Sequence, residues 1–250
     1  MKYGRVLKWM LIAGLALAIP LSEVSEGQGL QPGTVGKPKD PTTGGGTQEI
    51  KYNPPSVGAP VGRVGGGTRG SGDVSTLSVL APPHVGLTGQ EQPVLYWYLA
   101  QATTYPIELT VRDEQTPQPF LETHLGSFAR PGIQRVRLAD YGVRLMPGVR
   151  YRWAVALVPN PGYRSKDIVA EGAIEYKQLP AALQTQLTQT HEAQAPSLYA
   201  EAGFWYDALA AISDLIDAVP EDLLLRQQRA ALLEQVGLSE VAMYDVQSGK

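Results

Sequence analysis

The sequence predicts an antiparallel β-sandwich followed by a C-terminal α-helical segment, a mixed β + α fold class. Two changes of pattern along the chain support it. Between residues 74 and 178, apolar and polar side chains alternate in short runs that Pro and Gly separate, as in half-buried strands. From residue 179 onward the apolar residues recur at helical spacing.

The sandwich region divides into seven predicted strands. In the third, Ile107, Leu109 and Val111 alternate with polar residues, so one face should be buried and the other solvated. The predicted strands centre on residues 76–81, 93–99, 106–112, 119–125, 133–138, 150–157 and 168–176.

One motif near the sixth strand is more specific. It consists of Leu145, Pro147, Tyr151, Trp153 and Val155. This spacing is that of the tyrosine corner in immunoglobulin-like and fibronectin type III domains, where the tyrosine hydroxyl bonds to nearby backbone. We therefore predict an immunoglobulin/fibronectin III-like sandwich over residues 74–178, with Tyr151 and Trp153 in structural roles.

The helical segment, residues 179–245, begins with a long apolar stripe. The stripe runs from Leu198 to Val219 along one predicted helix and contains Trp205, and Pro220 ends that helix. Such a stripe needs a partner surface. We expect this segment to pack on the sandwich, with Trp205 at the interface.

Part of this segment has the pattern of a tetratricopeptide repeat. Residues 199–220 fit much of that pattern, but Pro196 interrupts the first helix of the repeat. The repeat is therefore truncated, and about three copies are normally needed for stability, so the sequence again predicts docking on the sandwich or on a partner.

The N-terminal residues 1–27 have the order of a secretory signal peptide. Lys2, Arg5 and Lys8 precede an apolar run over residues 9–19, which is shorter than the roughly 20 residues that span a bilayer. We predict cleavage after Gly27, a periplasmic or extracellular location, and no membrane insertion after cleavage. An uncleaved N-terminal anchor is the alternative.

Residues 28–73 contain thirteen glycines and six prolines and almost no apolar periodicity. Such a composition is typical of disordered sequence. The sequence thus predicts a flexible linker between the signal peptide and the sandwich.

The overall composition excludes several classes of protein. The formal net charge is −3, and residues 179–250 carry three basic and ten acidic side chains, so a nucleic-acid partner is not expected. The chain has no cysteine, which excludes a disulfide and a lipidated cysteine. We predict no cofactor.

Catalytic chemistry has little support in the sequence. The three histidines lie far apart, in none of the motifs of hydrolases or zinc enzymes. The strongest catalytic hypothesis is a hydrolytic or metal site across a hairpin, formed by Asp113, Glu114, Glu122 and His124. We expect a non-catalytic protein and keep this site as the alternative.

Two groups of side chains are candidate interaction residues. Arg135 and Arg137 alternate on one strand, and Arg150 and Arg152 on another, so they would line one face only if the strands were neighbours; a fibronectin-like order places them in opposite sheets. Tyr96 and Tyr98 share one face of the predicted strand at 93–99. They either bind a carbohydrate or protein from outside or form the floor beneath the helices.

Five stretches carry a family resemblance: GlyGlyGlyThrArgGly at 65–70 and residues 87–99, 151–161, 164–175 and 199–209. Together they resemble a cyanobacterial family known as domain of unknown function 928. The resemblance extends over roughly residues 65–240 and implies an exported protein, with no activity to transfer residue by residue. Many members carry cysteines near the sandwich, whereas this chain has none.

Together these features predict an exported, non-catalytic binding or assembly module of the cell envelope with a protein partner. The alternative is an envelope carbohydrate-binding domain or hydrolytic enzyme, using the Tyr96/Tyr98 face or the hairpin carboxylates with His124.

Overall fold

The structure, a computed structural model, describes residues 50–55, 77–116, 118–126 and 129–249. All of them lie in one compact unit that spans residues 46–250. The predicted signal peptide, most of the predicted linker and the glycine-rich motif at 65–70 lie outside the described residues and stay predictions. The described chain has strands followed by helices, which confirms the mixed β + α class.

Eight strands precede the helices in the described residues. They are β1 (Leu77–Val79), β2 (Gly86–Thr88), β3 (Val94–Leu99), β4 (Ile107–Asp113), β5 (Leu121–Gly126), β6 (Gly132–Arg137), β7 (Arg150–Leu157) and β8 (Ile168–Tyr176).

The strands form a three-stranded sheet of order β1-β3-β6 and a five-stranded sheet of order β2-β8-β7-β4-β5. The prediction of a fully antiparallel fold is wrong at one place, because β2 pairs in parallel with the end of β8. The sequence did not predict β2. Its three residues, Gly86, Leu87 and Thr88, are too few for an alternating pattern, and Gly86 pairs with the distant Ile174.

The inward-facing side chains of both sheets belong to one apolar core. Trp153 is fully buried in it, and its indole N–H donates to the hydroxyl of Tyr206 at 2.9 Å. Tyr151 is also buried, and its hydroxyl accepts a hydrogen bond at 3.1 Å from the backbone N–H of Met146, five residues upstream. This bond is the one that the tyrosine-corner spacing predicts.

Five α-helices follow in the described part of the chain: α1 (Ala181–Gln189), α2 (Ala195–Glu201), α3 (Trp205–Ala218), α4 (Leu223–Gln235) and α5 (Ser239–Gln247). None of the described helices is long and apolar enough to cross a membrane.

The single helix predicted from Leu198 to Val219 is wrong, because the chain turns between α2 and α3. Gly203 adopts a φ of 83° at this turn, in the left-handed region that glycine tolerates best. A Cβ atom there would lie 3.0 Å from the carbonyl oxygen of Asn53. Pro196 is the second residue of α2, in the first turn, where proline is well tolerated.

Helix α3 is held on the sandwich by buried hydrogen bonds as well as apolar packing. The Trp205 side chain is 0% exposed, and its indole N–H donates to the carbonyl of Leu80 at 2.9 Å. The next residue, Tyr206, donates its hydroxyl proton to the carbonyl of Ala173 at 3.0 Å. Trp205 thus lies between helix and sandwich, where the apolar stripe predicts it.

Residues 50–55 pack against the helices, so the linker prediction is wrong at these positions. Ile50 and Tyr52 are buried. The Gln235 side-chain amide donates to the Ile50 carbonyl at 2.7 Å and accepts the Tyr52 N–H at 2.8 Å. The Asn53 N–H donates to the carbonyl of Ala200 at 3.1 Å. The prediction relied on the average composition of residues 28–73, which is rich in Gly and Pro. That average gives no sign of Ile50 and Tyr52, two apolar residues separated by one polar residue.

Candidate functional site

The predicted tyrosine pair lies beneath the helices. Tyr96 is 2% exposed and Tyr98 is 3% exposed. The Tyr98 ring packs edge-on against the ring of Tyr244 in α5, with centroids 5.2 Å apart. The hypothesis of an exposed aromatic surface is therefore wrong, and the alternative reading of these residues as the floor for the helices fits the packing. Helices α3 and α5 pack on the outer face of the three-stranded sheet, in contact with β3 and β6.

The four predicted arginines do not form one patch. Arg135 and Arg137 lie on β6 in the three-stranded sheet, whereas Arg150 and Arg152 lie on β7 in the other sheet. The single-patch hypothesis is wrong because strand order separates the two pairs.

Three of these arginines have carboxylate partners within the molecule. Arg135 contacts Asp217 of α3 at 2.5 Å, Arg150 contacts Glu175 at 3.4 Å, and Arg152 contacts Glu114 at 3.1 Å. Arg137 is exposed on the same strand as Arg135. Because these three arginines already pair with carboxylates of the same molecule, their charges are less available to an external ligand.

The hairpin groups also fail to converge. His124 Nδ1 lies 3.8 Å from Glu108, which was not among the predicted residues, and Glu114 pairs with Arg152. Asp113 accepts the backbone N–H of Gln115 at 2.8 Å in the turn, while Glu122 is exposed on the outer face of β5. Among the described residues, no group of three or more His, Asp or Glu side chains could hold a metal ion.

A polar cleft opens where the edge of β6 meets α3, α4 and α5; we call it the junction cleft. Its volume is about 510 Å³, which is within the range of small-molecule sites. Its polar lining includes Tyr96, Arg135, Ser213, Arg226, Arg229 and Asp245.

A buried ion pair forms one wall of the junction cleft. Arg229 donates Nε and Nη2 protons to the two Asp245 oxygens at 2.7 and 2.6 Å, and an Nη1 proton to Ser213 at 3.0 Å. This bidentate geometry is the strong form of an Arg–carboxylate pair. Arg226 approaches Asp245 less closely, with Nη1 at 3.5 Å.

Two polar atoms lie buried behind the wall of the cleft, the Tyr96 hydroxyl and Arg226 Nε. Ser213 and Arg135 both interact with the Tyr96 hydroxyl. Burial raises the pKa of Tyr96 and the nearby Asp214 charge raises it further, whereas the hydrogen bonds with Ser213 and Arg135 lower it.

The sequence analysis did not identify the junction cleft. Arg226 and Arg229 belong to α4, Asp245 to α5 and Tyr96 to β3, and no local spacing connects them. One signal was available. Arg229 is followed by the buried Ala230 in the apolar part of α4, a helical position that an arginine rarely occupies without a buried partner.

A second, smaller cavity of about 320 Å³ lies beside Asp207 near the start of α3. Asp207 accepts the backbone N–H of Gly89 at 2.8 Å and so joins the helix to the loop after β2. Burial raises its pKa to about 6, although hydrogen bonds from Gly89 and Thr88 oppose the shift. This carboxyl is therefore a structural group that titrates near neutral pH.

Comparisons with known proteins give little functional information. No match is found among the curated proteins. Among solved structures, a multi-domain immunophilin from Arabidopsis thaliana is similar to 68% of this chain and 99% of its own, at 10% identity and a TM-score of 0.18. The family model described as Domain of Unknown Function (DUF928) matches residues 64–246. The chain therefore belongs to the DUF928 family, which confirms the resemblance found in its sequence.

Proposed function

We propose that this protein is an exported, non-catalytic binding or assembly module of the cell envelope. The observation that carries the proposal is the junction cleft, a polar opening of about 510 Å³ whose lining includes Arg135, Arg226 and Arg229. Export rests on the signal-like order of residues 1–27.

The groups around the cleft are suited to recognition. Arg229 binds both oxygens of Asp245, and Arg135 binds Asp217, so these carboxylates are engaged and neither is poised as a general base. The arginines of the lining, Arg135, Arg226 and Arg229, are hydrogen-bond donors. Donors with fixed positions and no adjacent base orient a ligand without transforming it.

The framework around the cleft is preorganised. Trp205 and Tyr206 anchor α3 on the sandwich through buried hydrogen bonds, and Gln235 anchors α4 to residues 50–55. Because these elements are fixed before a ligand arrives, binding requires little further ordering.

We also infer that the sandwich is immunoglobulin/fibronectin III-like and that the helices are related to a truncated tetratricopeptide repeat. The division into β1-β3-β6 and β8-β7-β4-β5 supports the first inference, as does the bond between Tyr151 and Met146. The contact between α3 and α4, which lie on the two sides of Pro220, supports the second.

Site-specific photo-crosslinking in the native envelope tests the binding role. A photoreactive residue at Ser248, which is exposed beside the cleft, should give a discrete adduct. The matched control is Glu122, which is exposed on the outer face of β5 and should give none. Equal labelling at both positions, or none at Ser248, would contradict a partner at the cleft.

Export has a separate test. Intact-mass measurement of protein recovered from the periplasm or medium should show a loss of about 2–3 kDa, the size of a cleaved signal. A full-length chain in the membrane pellet would contradict cleavage after Gly27.

A further inference from the structure

We propose that the helices carry a groove for an extended peptide and that residues 50–55 are an exchangeable ligand of this groove, which a second copy of the chain can supply. We call residues 50–55 the docked segment. Two of the residues that hold it, Trp205 and Gln235, do not line the junction cleft, so the groove is a second site. Two features of the docked segment support the exchange: how it is held and where it lies in the chain.

The docked segment is bound through its backbone. Its six residues form neither helix nor strand. The Gln235 side-chain amide donates to the carbonyl of Ile50 at 2.7 Å and accepts the N–H of Tyr52 at 2.8 Å. Main-chain hydrogen bonds of this kind supply affinity when a protein binds an extended peptide.

The end of α2 supplies further acceptors. The Asn53 backbone N–H donates to the carbonyl of Ala200 at 3.1 Å, and the Asn53 side-chain amide donates to the carbonyl of Glu201 at 2.9 Å. Carbonyls in the last turn of a helix have no partner within the helix, so they can accept from a peptide. Gly203 allows the backbone of the docked segment to approach this closely, because a Cβ atom there would lie 3.0 Å from the Asn53 carbonyl oxygen.

Two side chains of the docked segment fill the groove. Ile50 and Tyr52 are buried, whereas the residue that follows each of them is exposed. The Tyr52 ring packs edge-on against Trp205 with centroids 5.1 Å apart, and its hydroxyl lies 2.9 Å from His84 Nε2. In an extended peptide every second side chain enters the receptor, and these side chains give specificity. The groove therefore selects an aliphatic residue and a tyrosine two positions apart.

The docked segment is separate from the domain that carries the groove. The match to the DUF928 family model begins at residue 64, so it includes Trp205 and Gln235 but not residues 50–55. Twenty-one residues, seven of them glycine, connect the docked segment to Leu77 at the start of β1. A linker of this length and composition predicts an effective concentration on the order of 1 mM for the segment at its own groove.

The docked segment of a second copy offers the same contacts. Exchange replaces each hydrogen bond and ring contact by an identical one, so only the effective concentration favours the chain's own segment. We therefore expect single closed chains in dilute solution. Copies become linked at protein concentrations near 1 mM, or when a chain's own segment cannot dock.

Two full-length variants test the exchange by complementation. In the acceptor, Ile50→Ala and Tyr52→Ala remove the two side chains that fill the groove and leave the groove intact. In the donor, Gln235→Ala removes the amide that binds the segment and leaves the segment intact. Each variant alone should be monomeric at about 100 µM in sedimentation velocity, whereas the equimolar mixture should form a heterodimer with a Kd of about 0.2 mM or tighter.

The matched control for the donor is Gln227→Ala. Gln227 is an exposed glutamine about two turns earlier on α4. Because this variant keeps Gln235, its segment stays docked at home, and it should pair with the acceptor at least fivefold more weakly than the Gln235→Ala donor does. Equal pairing of the two donors would show that a different surface links the copies and overturns the proposal.

A cut chain tests the exchange with the groove and the docked segment unchanged. A protease site is inserted within residues 56–76, and the folded full-length chain is cleaved there. The N-terminal piece should co-elute with the remainder in size-exclusion chromatography. An excess of a peptide of residues 48–56 should displace this piece, and the same peptide with Ile50→Ala and Tyr52→Ala should not.

The two experiments together decide the proposal. A heterodimer in the mixture and displacement from the cut chain support it. Displacement without a heterodimer, from an acceptor that circular dichroism shows to be folded, overturns the second copy as the partner. If the acceptor is unfolded, the cut chain decides: a piece that the peptide does not displace overturns the exchange.

Discussion

The outer faces of the two sheets differ although their strands look alike in sequence. On the three-stranded sheet, Tyr96 and Tyr98 are buried beneath α3 and α5. On the five-stranded sheet, the outer face of β4, β7 and β8 carries exposed or half-exposed ion pairs, such as Arg112 with Glu171 and Arg150 with Glu175. Alternation therefore predicts which residues share a face and leaves open whether that face meets water or another part of the chain.

The contrast is greatest for arginine. Arg152 lies on the open face and pairs with Glu114, where solvent screens both charges. Arg229 lies beneath the surface on the covered side and is held by Asp245 and Ser213. Removal of the arginine should therefore cost little in the first setting and much in the second, where it would leave a buried carboxylate without its partner. Matched substitutions on the two faces test this comparison.

The largest effect should come from Trp205→Ala. It removes a fully buried side chain and leaves the Leu80 carbonyl without its indole partner, so we expect a loss of about 4–5 kcal/mol in the free energy of unfolding. The matched variant is Phe120→Ala, next to β5, where the ring is 46% exposed and the loss should be about 1 kcal/mol. Urea unfolding followed by circular dichroism measures both.

The wavelength dependence of the same experiment adds a test. Because α3 is bonded directly to the sandwich, helix-weighted and strand-weighted signals of the parent should change in one transition. Two separate transitions would show that the helices unfold independently and that the covered face is not cooperative.

Arg229→Met should cost about 3–4 kcal/mol, because it leaves the Asp245 charge buried without its main partner. Arg152→Met on the open face should cost less than about 1 kcal/mol. The double variant Arg229→Met with Asp245→Leu should recover most of the loss, since no buried charge remains. Equal costs for the two single variants would contradict the difference between the faces.

Ile50→Ala should cost about 3 kcal/mol, because Ile50 is buried against the helices and its neighbour Tyr52 bonds to Gln235. Val169→Ala is the control: its side chain is 44% exposed on the open face of β8, and little should change. Thermal unfolding of the two variants decides the matter. A similar melting temperature for both variants would show that residues 50–55 do not contribute to the folded core and belong to the linker.

Asp207 gives a smaller, pH-dependent effect. Its pKa rises from 3.8 to about 6 on folding, so the folded state binds the proton more tightly and stability falls as the pH rises through this interval. From about pH 4.5 to about pH 7 the Asp207 contribution should fall by about 2 kcal/mol. Asp207→Asn keeps an acceptor for Gly89 and should remove this part of the slope, which urea unfolding at several pH values measures.

The exposed Asp140 is the control for that experiment. Asp140→Asn should leave the pH dependence of the parent unchanged. If Asp207→Asn keeps the full slope, or if the slope has the opposite sign, the buried carboxyl is not the titrating group.

Local patterns predicted much of the sandwich but not the junction cleft. The alternation around Ile107 and the spacing of Tyr151 are properties of one strand or one turn, and the strand and the Met146 bond follow from them. The cleft combines residues of β3, α4 and α5 that lie up to 149 positions apart, from Tyr96 to Asp245. No spacing rule connects them, because their proximity depends on how the helices dock.

The sequence by itself determined the order of strands before helices, membership of the DUF928 family and the apolar residue Trp205 that would need a partner surface. Only the tertiary structure decided that Tyr96 and Tyr98 would be covered, that Ile50 would be buried and that Arg226 and Arg229 would share Asp245 at a cleft. The physical reason is the range of the interactions. Side-chain periodicity and turn geometry act over a few residues, whereas burial and charge pairing depend on which distant surfaces meet.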